Sequence, residues 1–441
     1  MNSKLKFALI ALAVIVVLAL GIWIISSLAG GEDTPPESAA PTQVPASETP
    51  AASPSSEPEP DESASPAELT TATLAIGGDI VMHSGLNSEA ASGGNGYDYE
   101  PIFGVLPDLI AGADYAACSL VTSLPGSGSE YTAYPLFRSP DSIVDAVSAV
   151  GFDLVNTATS HLADSWKTGI DHALDVLDAA GLAHVGTYRS EDERASSGNR
   201  VMADVGGISV AFLAYTCDTN SIPVSGFEYA ASICATDYLG SGTDIDYALI
   251  EGDIAAAREA GADAVFVFMS WGTELSTQPD SLQEEMAGRL VAAGADVIIG
   301  GRCRVPQPME ELSVRLEDGT ERRGFVCYSL GNLLSCQNDE YTDISAILNL
   351  TLTKDLDSGV TTVSAAEYRP IYMADLYDYG INDFDWHYRL VDLHAAIDAW
   401  DNGTPWDFMT DEIYADMVTA LAAAHEFFGT EYDPAWSGSG E

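Results

Sequence analysis

Six short segments carry the polar side chains that could do chemistry, and each follows an apolar run. They are Gly77-Gly78-Asp79, Ser119–Thr122, Thr159-Ser160-His161, Ser270-Trp271-Gly272, Gly300–Arg304 and Ser329-Leu330-Gly331-Asn332. Asp79 offers a carboxylate, and His161 and the nearby His83 offer imidazoles. Such groups ligate metals or move protons. His83 and His161 are candidates for an acid–base pair or for hydrogen-bonded structural histidines. Arg302 and Arg304 bring two forked donors to one loop. Guanidinium pairs bind phosphate or carboxylate directly, and equally they pair with internal acids such as Asp79. Cys303 lies between them as a candidate nucleophile, with no His beside it in sequence. His172, His184, His387, His394 and His425 show no ligand spacing. Gly77-Gly78 reads as a turn after a strand, since the Gly-x-Gly-x-x-Gly fingerprint of a dinucleotide site is absent.

Strand-like runs that would hold these segments are Thr73–Ile76, Tyr115–Leu120, Leu154–Thr157, Ser209–Tyr215, Ala264–Met269, Asp296–Ile299 and Phe325–Leu330. Helical stripes lie between them. Asp141–Val150 follows Ser139-Pro140, a capping residue with Pro in the first turn. Ile170, Ala173, Leu174, Leu177 and Ala180 share one face, stopped by Gly181, and Ser281–Ala293 ends at Gly294. Strands alternating with helices predict an α/β domain, in which ligands gather at the carboxyl ends of strands. Ile347–Leu352 and Thr361–Ala365 read as antiparallel strands at an edge, and Asp411–Phe428 reads as a helix.

The 441 residues carry a formal charge of −50, which excludes a nucleic-acid binder. Lys4 and Lys6 precede an uncharged apolar run from Phe7 to about Gly30, long enough to cross a bilayer. Its length favours an uncleaved anchor over a removed signal peptide. Both lysines precede the span, so the positive-inside rule predicts a single pass with the bulk of the chain outside. Residues 31–68 hold nine Pro, nine acids and no basic or aromatic residue, the composition of an extended linker. Removing the linker's −9 and the two lysines leaves −43 on residues 69–441, which hold fifteen basic residues. Six Cys are too few for a disulfide scaffold. An outside location still predicts at least one disulfide, with Cys217–Cys234 the first choice.

The chain resembles the CapA, or poly-gamma-glutamate capsule biosynthesis, family, whose domain has the calcineurin-like metallophosphatase fold. The resemblance runs from about Thr71 to Ser335. It is carried by Ala75–His83, Tyr97–Phe103, Tyr134–Phe137, Gly151–Asp153, Ala211–Thr216, Trp271–Glu274, Val297–Gly300, Gln307–Glu310 and Tyr328–Asn332, in that order. Members with an intact pocket carry Gly-Asp, Asn-Leu-Glu, Ala-Asn-Asn-His, His-Trp-Gly and Gly-x-His-Pro-His, which resemble the ligands of a two-metal centre. Here Asp79 and His161 match. The Glu falls on Val121, the two Asn on Thr159 and Ser160, and the first His on Ser270. The last two His fall on Arg302 and Arg304, with Cys303 at the Pro. Arg has no lone pair to give a metal. Asp79, His161 and His83 are at most three ligands, too few for two cations.

The expected fold is therefore a layered α/β sandwich of metallo-dependent phosphatase type at residues 69–370. An N-terminal transmembrane helix (1–30) and the linker (31–68) precede it, and a C-terminal appendage (371–441) packs on it. The resemblance implies a membrane-anchored extracytoplasmic protein of capsule or poly-gamma-glutamate biosynthesis, export or retention. Its partners would be the cell membrane and an anionic polymer or capsule-synthesis proteins. Asp79 and His161 are expected as vestigial catalytic residues. His83, Thr159, Ser160, Ser270, Arg302 and Arg304 are the expected ligand-binding, anion-preferring set. The expected cofactor is none. The rival is a residual hydrolase of a phosphate ester or amide with one Mn, Fe or Zn ion on Asp79, His83 and His161.

Overall fold

The computed structural model describes residues 68–91 and 96–436. The expected anchor, and the linker apart from Glu68, lie outside the described residues. Among those described, no helix is long and apolar enough to cross a membrane. In chain order the strands are β1 (Leu69–Ile80), β2 (Tyr115–Leu120), β3 (Leu154–Asn156), β4 (Ala183–Val185), β5 (Val201–Val205), β6 (Ile208–Thr216) and β7 (Ala264–Ser270). They continue as β8 (Val297–Gly301), β9 (Pro306–Arg315), β10 (Glu321–Leu330), β11 (Asn332–Leu334), β12 (Ile344–Asp355), β13 (Thr361–Asp375) and β14 (Tyr388–Asp392).

Two sheets form. The first runs β14-β13-β12-β1-β2-β3-β4 with β11 beside β1, and the second runs β5-β6-β7-β8-β10-β9. In the first, β1 to β4 are parallel out to the β4 edge and β12 to β14 are antiparallel on the other side; in the second, β6, β7, β8 and β10 form a parallel centre between antiparallel β5 and β9. Alternation along the central strands explains the layering. Ala72, Leu74 and Ile76 of β1 and Phe266 and Phe268 of β7 meet between the sheets, with Phe212 of β6 among them. The opposite faces pack under helices. Ala75 joins Phe103, Val147 and Leu177, while Val265 and Val267 join Ile254, Met286 and Leu290. Strands buried on both faces read as continuous apolar runs, which is why the sequence exposes them.

The expected α/β layering is present, as a helix–sheet–sheet–helix stack. The helices Ser281–Ala293 and Asp411–Phe428 have the bounds read from sequence. Asp280 caps the first with a full capping box, and Gly181, at φ 75°, ends the helix Trp166–Ala180. Three readings need correction. Gly77-Gly78 is not a turn but part of β1. A Cβ on Gly78 would meet the Gly331 carbonyl oxygen at 2.3 Å, so these glycines admit a close backbone crossing. The strands β12 and β13 are interior, because β14 covers β13. The position 370/371 falls inside β13, so the main sheet continues into the segment read as an appendage.

Gly300 is a comparable contact on the second sheet. A Cβ there would lie 1.8 Å from the Tyr328 carbonyl oxygen and 2.5 Å from Trp271 Nε1, which donates to that oxygen at 2.9 Å. Gly300→Ala should cost about 1–3 kcal/mol in urea unfolding through overpacking. Gly288→Ala, in a helix with nothing within 4 Å of the added methyl, should be neutral or stabilise by up to about 1 kcal/mol. Equal effects at both positions would remove the packing argument.

Candidate functional site

The carboxyl ends of the parallel strands of both sheets open onto one cleft of about 250 Å³. Asp79 sits near the end of β1, His83 just after it, and Ser160 and His161 in the loop after β3. Asp218 follows β6, Glu274 follows β7, and Arg302 and Arg304 follow β8. His83, Ser160, His161, Arg302 and Arg304 line the cleft with Asp218 and Glu274, and Tyr134 stands exposed on its rim.

Asp79 is buried, and its Oδ2 accepts the Arg302 backbone N–H at 2.8 Å. Arg304 Nη1 lies 3.6 Å from the same oxygen. Gly301 makes room, since a Cβ there would be 2.5 Å from Asp79 Oδ1. Burial raises the Asp79 pKa, opposed by the Arg304 charge, the Arg302 N–H and His161. Both arginines have left-handed backbone, φ 80° at Arg302 and 67° at Arg304. That conformation is uncommon outside glycine, and holding it needs the surrounding contacts.

The two arginines then part ways. The Arg302 guanidinium is occupied: Nε donates to Asp218 Oδ2 and Nη1 to the Gly272 carbonyl. Arg304 is almost wholly buried, yet its Nη1 has no hydrogen-bond partner. Its nearest acids are Asp79 and, at 3.7 Å from Nε, Glu274. Both arginines are ion-paired, Arg302 closely with Asp218 and Arg304 at longer range with Asp79 and Glu274, and Arg304 Nη1 still has no hydrogen bond.

His161 Nδ1 and the fully buried Asp164 are joined at 2.8 Å. The Asp164 carboxylate also accepts from Phe137 N at 2.6 Å and Asn220 Nδ2 at 3.1 Å. His83 and His161 each pack edge-on against Phe137, with ring centroids 4.9 and 4.6 Å apart. His83 Nε2 and Ser160 Oγ are buried without partners. Burial pushes the His83 pKa down to about 4, helped by Arg304 and His161 and opposed by Asp339.

Four residues singled out from the sequence, Asp79, Thr159, Ser270 and Cys303, do not line the cleft. Thr159 and Ser270 are buried behind its wall. The Thr159 hydroxyl turns to the Leu120 carbonyl at 3.5 Å, and Ser270, the last residue of β7, receives the Cys217 N–H at 3.0 Å. Cys303 is fully buried, its Sγ facing the Trp271 carbonyl at 3.6 Å, and burial pushes its thiol up to about 12. A neutral enclosed thiol is not a nucleophile. Sequence reading missed Asp164 and Asp218. Asp164 is three residues after His161 in one loop, a usable signal, whereas Asp218 follows a strand in a stretch with no motif.

Two features weigh against a two-metal centre here: Asp79 Oδ2 already takes a backbone N–H, and the Arg304 guanidinium supplies positive charge beside it. The arrangement can bind an anion at Arg304 and hold His161 in one orientation through Asp164.

All six cysteines are free thiols, and the fold brings Cys217 and Cys234 together with Sγ atoms 3.4 Å apart. On treatment with diamide, the two thiols should lose two protons and two electrons to the oxidant and close a disulfide. Alkylation after unfolding should then label four cysteines; six labelled would refute the pairing. A second expectation concerns acid. An unfolded chain protonates His83 below about pH 6.5, while the folded one keeps it neutral to about 4. The folded state binds fewer protons in that window, so stability falls as pH drops through it, by about 1.4 kcal/mol per pH unit at most. Urea unfolding of His83→Gln should show a shallower decline; an identical slope would exclude His83 as the cause.

The family model described as "Bacterial capsule synthesis protein PGA_cap" matches residues 73–337. The curated "Capsule biosynthesis protein CapA" of Bacillus anthracis is 27% identical over 242 residues, 53% of each chain. The "PGA biosynthesis protein CapA" of Bacillus subtilis (strain 168) is 27% identical over 213 residues, 48% of this chain and 50% of its own. The chain thus spans about half the length of the curated relatives it matches. Among solved structures, a novel phosphatase from Mycoplasma pneumoniae aligns with TM-score 0.38 and 10% identity, over 71% of this chain and 98% of that one. A hypothetical protein from Thermus thermophilus aligns with TM-score 0.36 and 14% identity, over 68% of this chain and 98% of that one.

Proposed function

The chain belongs to the bacterial capsule synthesis protein PGA_cap family, and on that premise we propose that it serves capsule or poly-gamma-glutamate biosynthesis, export or retention as a binding module. The fold is read as metallophosphatase-type, with the two-metal site replaced by an anion site. The module is tethered outside the cell by residues 7–30 through the linker 31–68, with the membrane and an anionic polymer or capsule-synthesis proteins as partners. The names of the curated relatives support the polymer class. The charge asymmetry about the apolar run supports the topology.

One observation carries the binding reading: the buried, unpartnered Nη1 of Arg304 at the cleft. An unmet buried guanidinium donor is costly, and an incoming carboxylate or phosphate oxygen relieves that cost. The partnerless His83 Nε2 and Ser160 Oγ add two groups that an oxyanion can engage. With Val121, Ser270, Arg302 and Arg304 at the positions of the family's metal ligands, the site is not expected to hold the pair of ions that would activate a water, so binding without hydrolysis is the expected outcome. A second reading, residual hydrolysis with one metal on Asp79, His83 and His161, is favoured by the same unpartnered His83 nitrogen.

Calorimetry of the full chain with phosphate, oligo-gamma-glutamate and Mn²⁺ separates the two. Anion binding should weaken about 10- to 100-fold in Arg304→Ala, the range for a charged hydrogen bond. Binding unchanged in that variant would sink the arginine site. Stoichiometric Mn²⁺ binding abolished by Asp79→Asn, with hydrolytic activity lost alongside, would establish the second reading instead.

A further inference from the structure

Far along the chain from the cleft residues, three side chains converge that share no sequence spacing. His394 is the second residue of the helix Leu393–Asp401. His425 lies in the last turn of the helix Asp411–Phe428. Asp433 follows the short turn Thr430–Tyr432. Both Nε2 atoms lie 2.7 Å from one oxygen, Asp433 Oδ2. All three ligand atoms fall within 4.8 Å of one another. The Asp433 side chain is fully buried, and those of His394 and His425 are 17% and 11% exposed.

We propose that His394, His425 and Asp433 form a binding site for one divalent transition-metal ion of the zinc class. Two imidazole nitrogens and one carboxylate oxygen suit a borderline cation, whereas calcium and magnesium call for shells made mainly of oxygen. Metal–ligand bonds of about 2.0–2.2 Å in tetrahedral array put neighbouring donors about 3.3 Å apart. Opening the 2.7 Å contacts by about 0.6 Å lets an ion in, a shift within reach of small side-chain rotations. The frame is otherwise prepared. Asp433 Oδ1 accepts the Ala435 N–H at 2.9 Å, and Trp436 packs edge-on against His425 at 4.6 Å. Residual exposure of both imidazoles gives the ion a way in and a water the fourth position.

The site has a structural consequence. Its ligands come from two helices and the segment beyond them, and these elements pack on both sheets. Phe428 meets Tyr368 of β13 at 5.2 Å, and Tyr432 meets Phe325 of β10 at 5.6 Å. A bound ion clamps this end of the chain across the two sheets. Metal binding to the folded state alone then appears as added stability.

The test uses the full chain stripped with chelator and titrated with Zn²⁺ by calorimetry, and with Co²⁺ as a spectroscopic probe. One equivalent should bind, with a Co²⁺ ligand-field spectrum of nitrogen and oxygen donors. Saturating Zn²⁺ should raise the melting temperature by about 5 °C at 100-fold excess over Kd. Affinity should fall at least tenfold in His394→Gln, His425→Gln and Asp433→Asn. If a variant fails to fold, the Co²⁺ spectrum of the unaltered chain decides. Three results overturn the site: no stoichiometric binding, binding that survives the double variant His394→Gln/His425→Gln, or binding lost instead in Asp79→Asn. The last would move the ion to the cleft, and the first would leave a hydrogen-bonded His–Asp–His triad.

Discussion

The cleft is organised by one constraint: a carboxylate, Asp79, is buried where the central strands of the two sheets end. A buried charge without compensation is expensive, so whatever surrounds Asp79 must supply positive charge or donors. Here that supply is the Arg302 backbone N–H and the Arg304 guanidinium. The rest of the loop follows from this. Gly301 clears the space into which the carboxylate projects, the Gly301–Arg302 peptide aims its N–H at Asp79, and the loop then continues through left-handed backbone at Arg302 and Arg304. Cys303, between the arginines, is thereby turned inward beneath Trp271.

The second arginine extends the constraint across the cleft. Arg302 reaches Asp218, at the start of a segment that also supplies Asn220, Tyr238 and Ser241 to the walls. That segment is fastened at its base by backbone bonds of Thr216, whose N–H donates to the Ser232 carbonyl and whose carbonyl accepts from Cys234, and by the adjacent thiols of Cys217 and Cys234. Asn220 in turn donates to Asp164, which orients His161. A chain of polar contacts thus links Arg302, the 217–246 segment and the loop after β3. Losing any link leaves a buried polar group unmet, which makes such networks costly to break.

Much of this was legible in the sequence, and the reasons differ residue by residue. The central strands announced themselves because both faces are buried, so β7 reads as an unbroken apolar run. The short β4, β5 and β14 did not, since three to five residues are too few to establish a period. Asp79, His83, His161, Arg302 and Arg304 were legible from their place after strands. Ser270, the last residue of β7, faces away by its strand register, and Thr159, in the loop after β3, turns its hydroxyl to the Leu120 carbonyl. His394, His425 and Asp433 were invisible, as their meeting depends on how two helices pack and on a turn that follows.

Charge sets the terms on which the cleft can work. The segment from residue 69 onward carries −43, so an anionic ligand is repelled at a distance. At physiological ionic strength that repulsion is screened beyond about 8 Å, and attraction must act at contact range. A surface lysine, hydrated and mobile, would be a weak answer in such a field. Arg304 is a different kind of group, because it is buried, held in one orientation and short of one partner. Its attraction is strengthened by the low polarity around it and acts only on an oxygen that fits the cleft. The same geometry limits the ligand. On the proposed anion reading, Asp79, Asp218 and Glu274 around the arginines would oppose more than one anionic group in the cleft at a time, so a polymer would enter by a single carboxylate or phosphate. A cleft built this way selects by reach and shape, with long-range charge working against every anion alike.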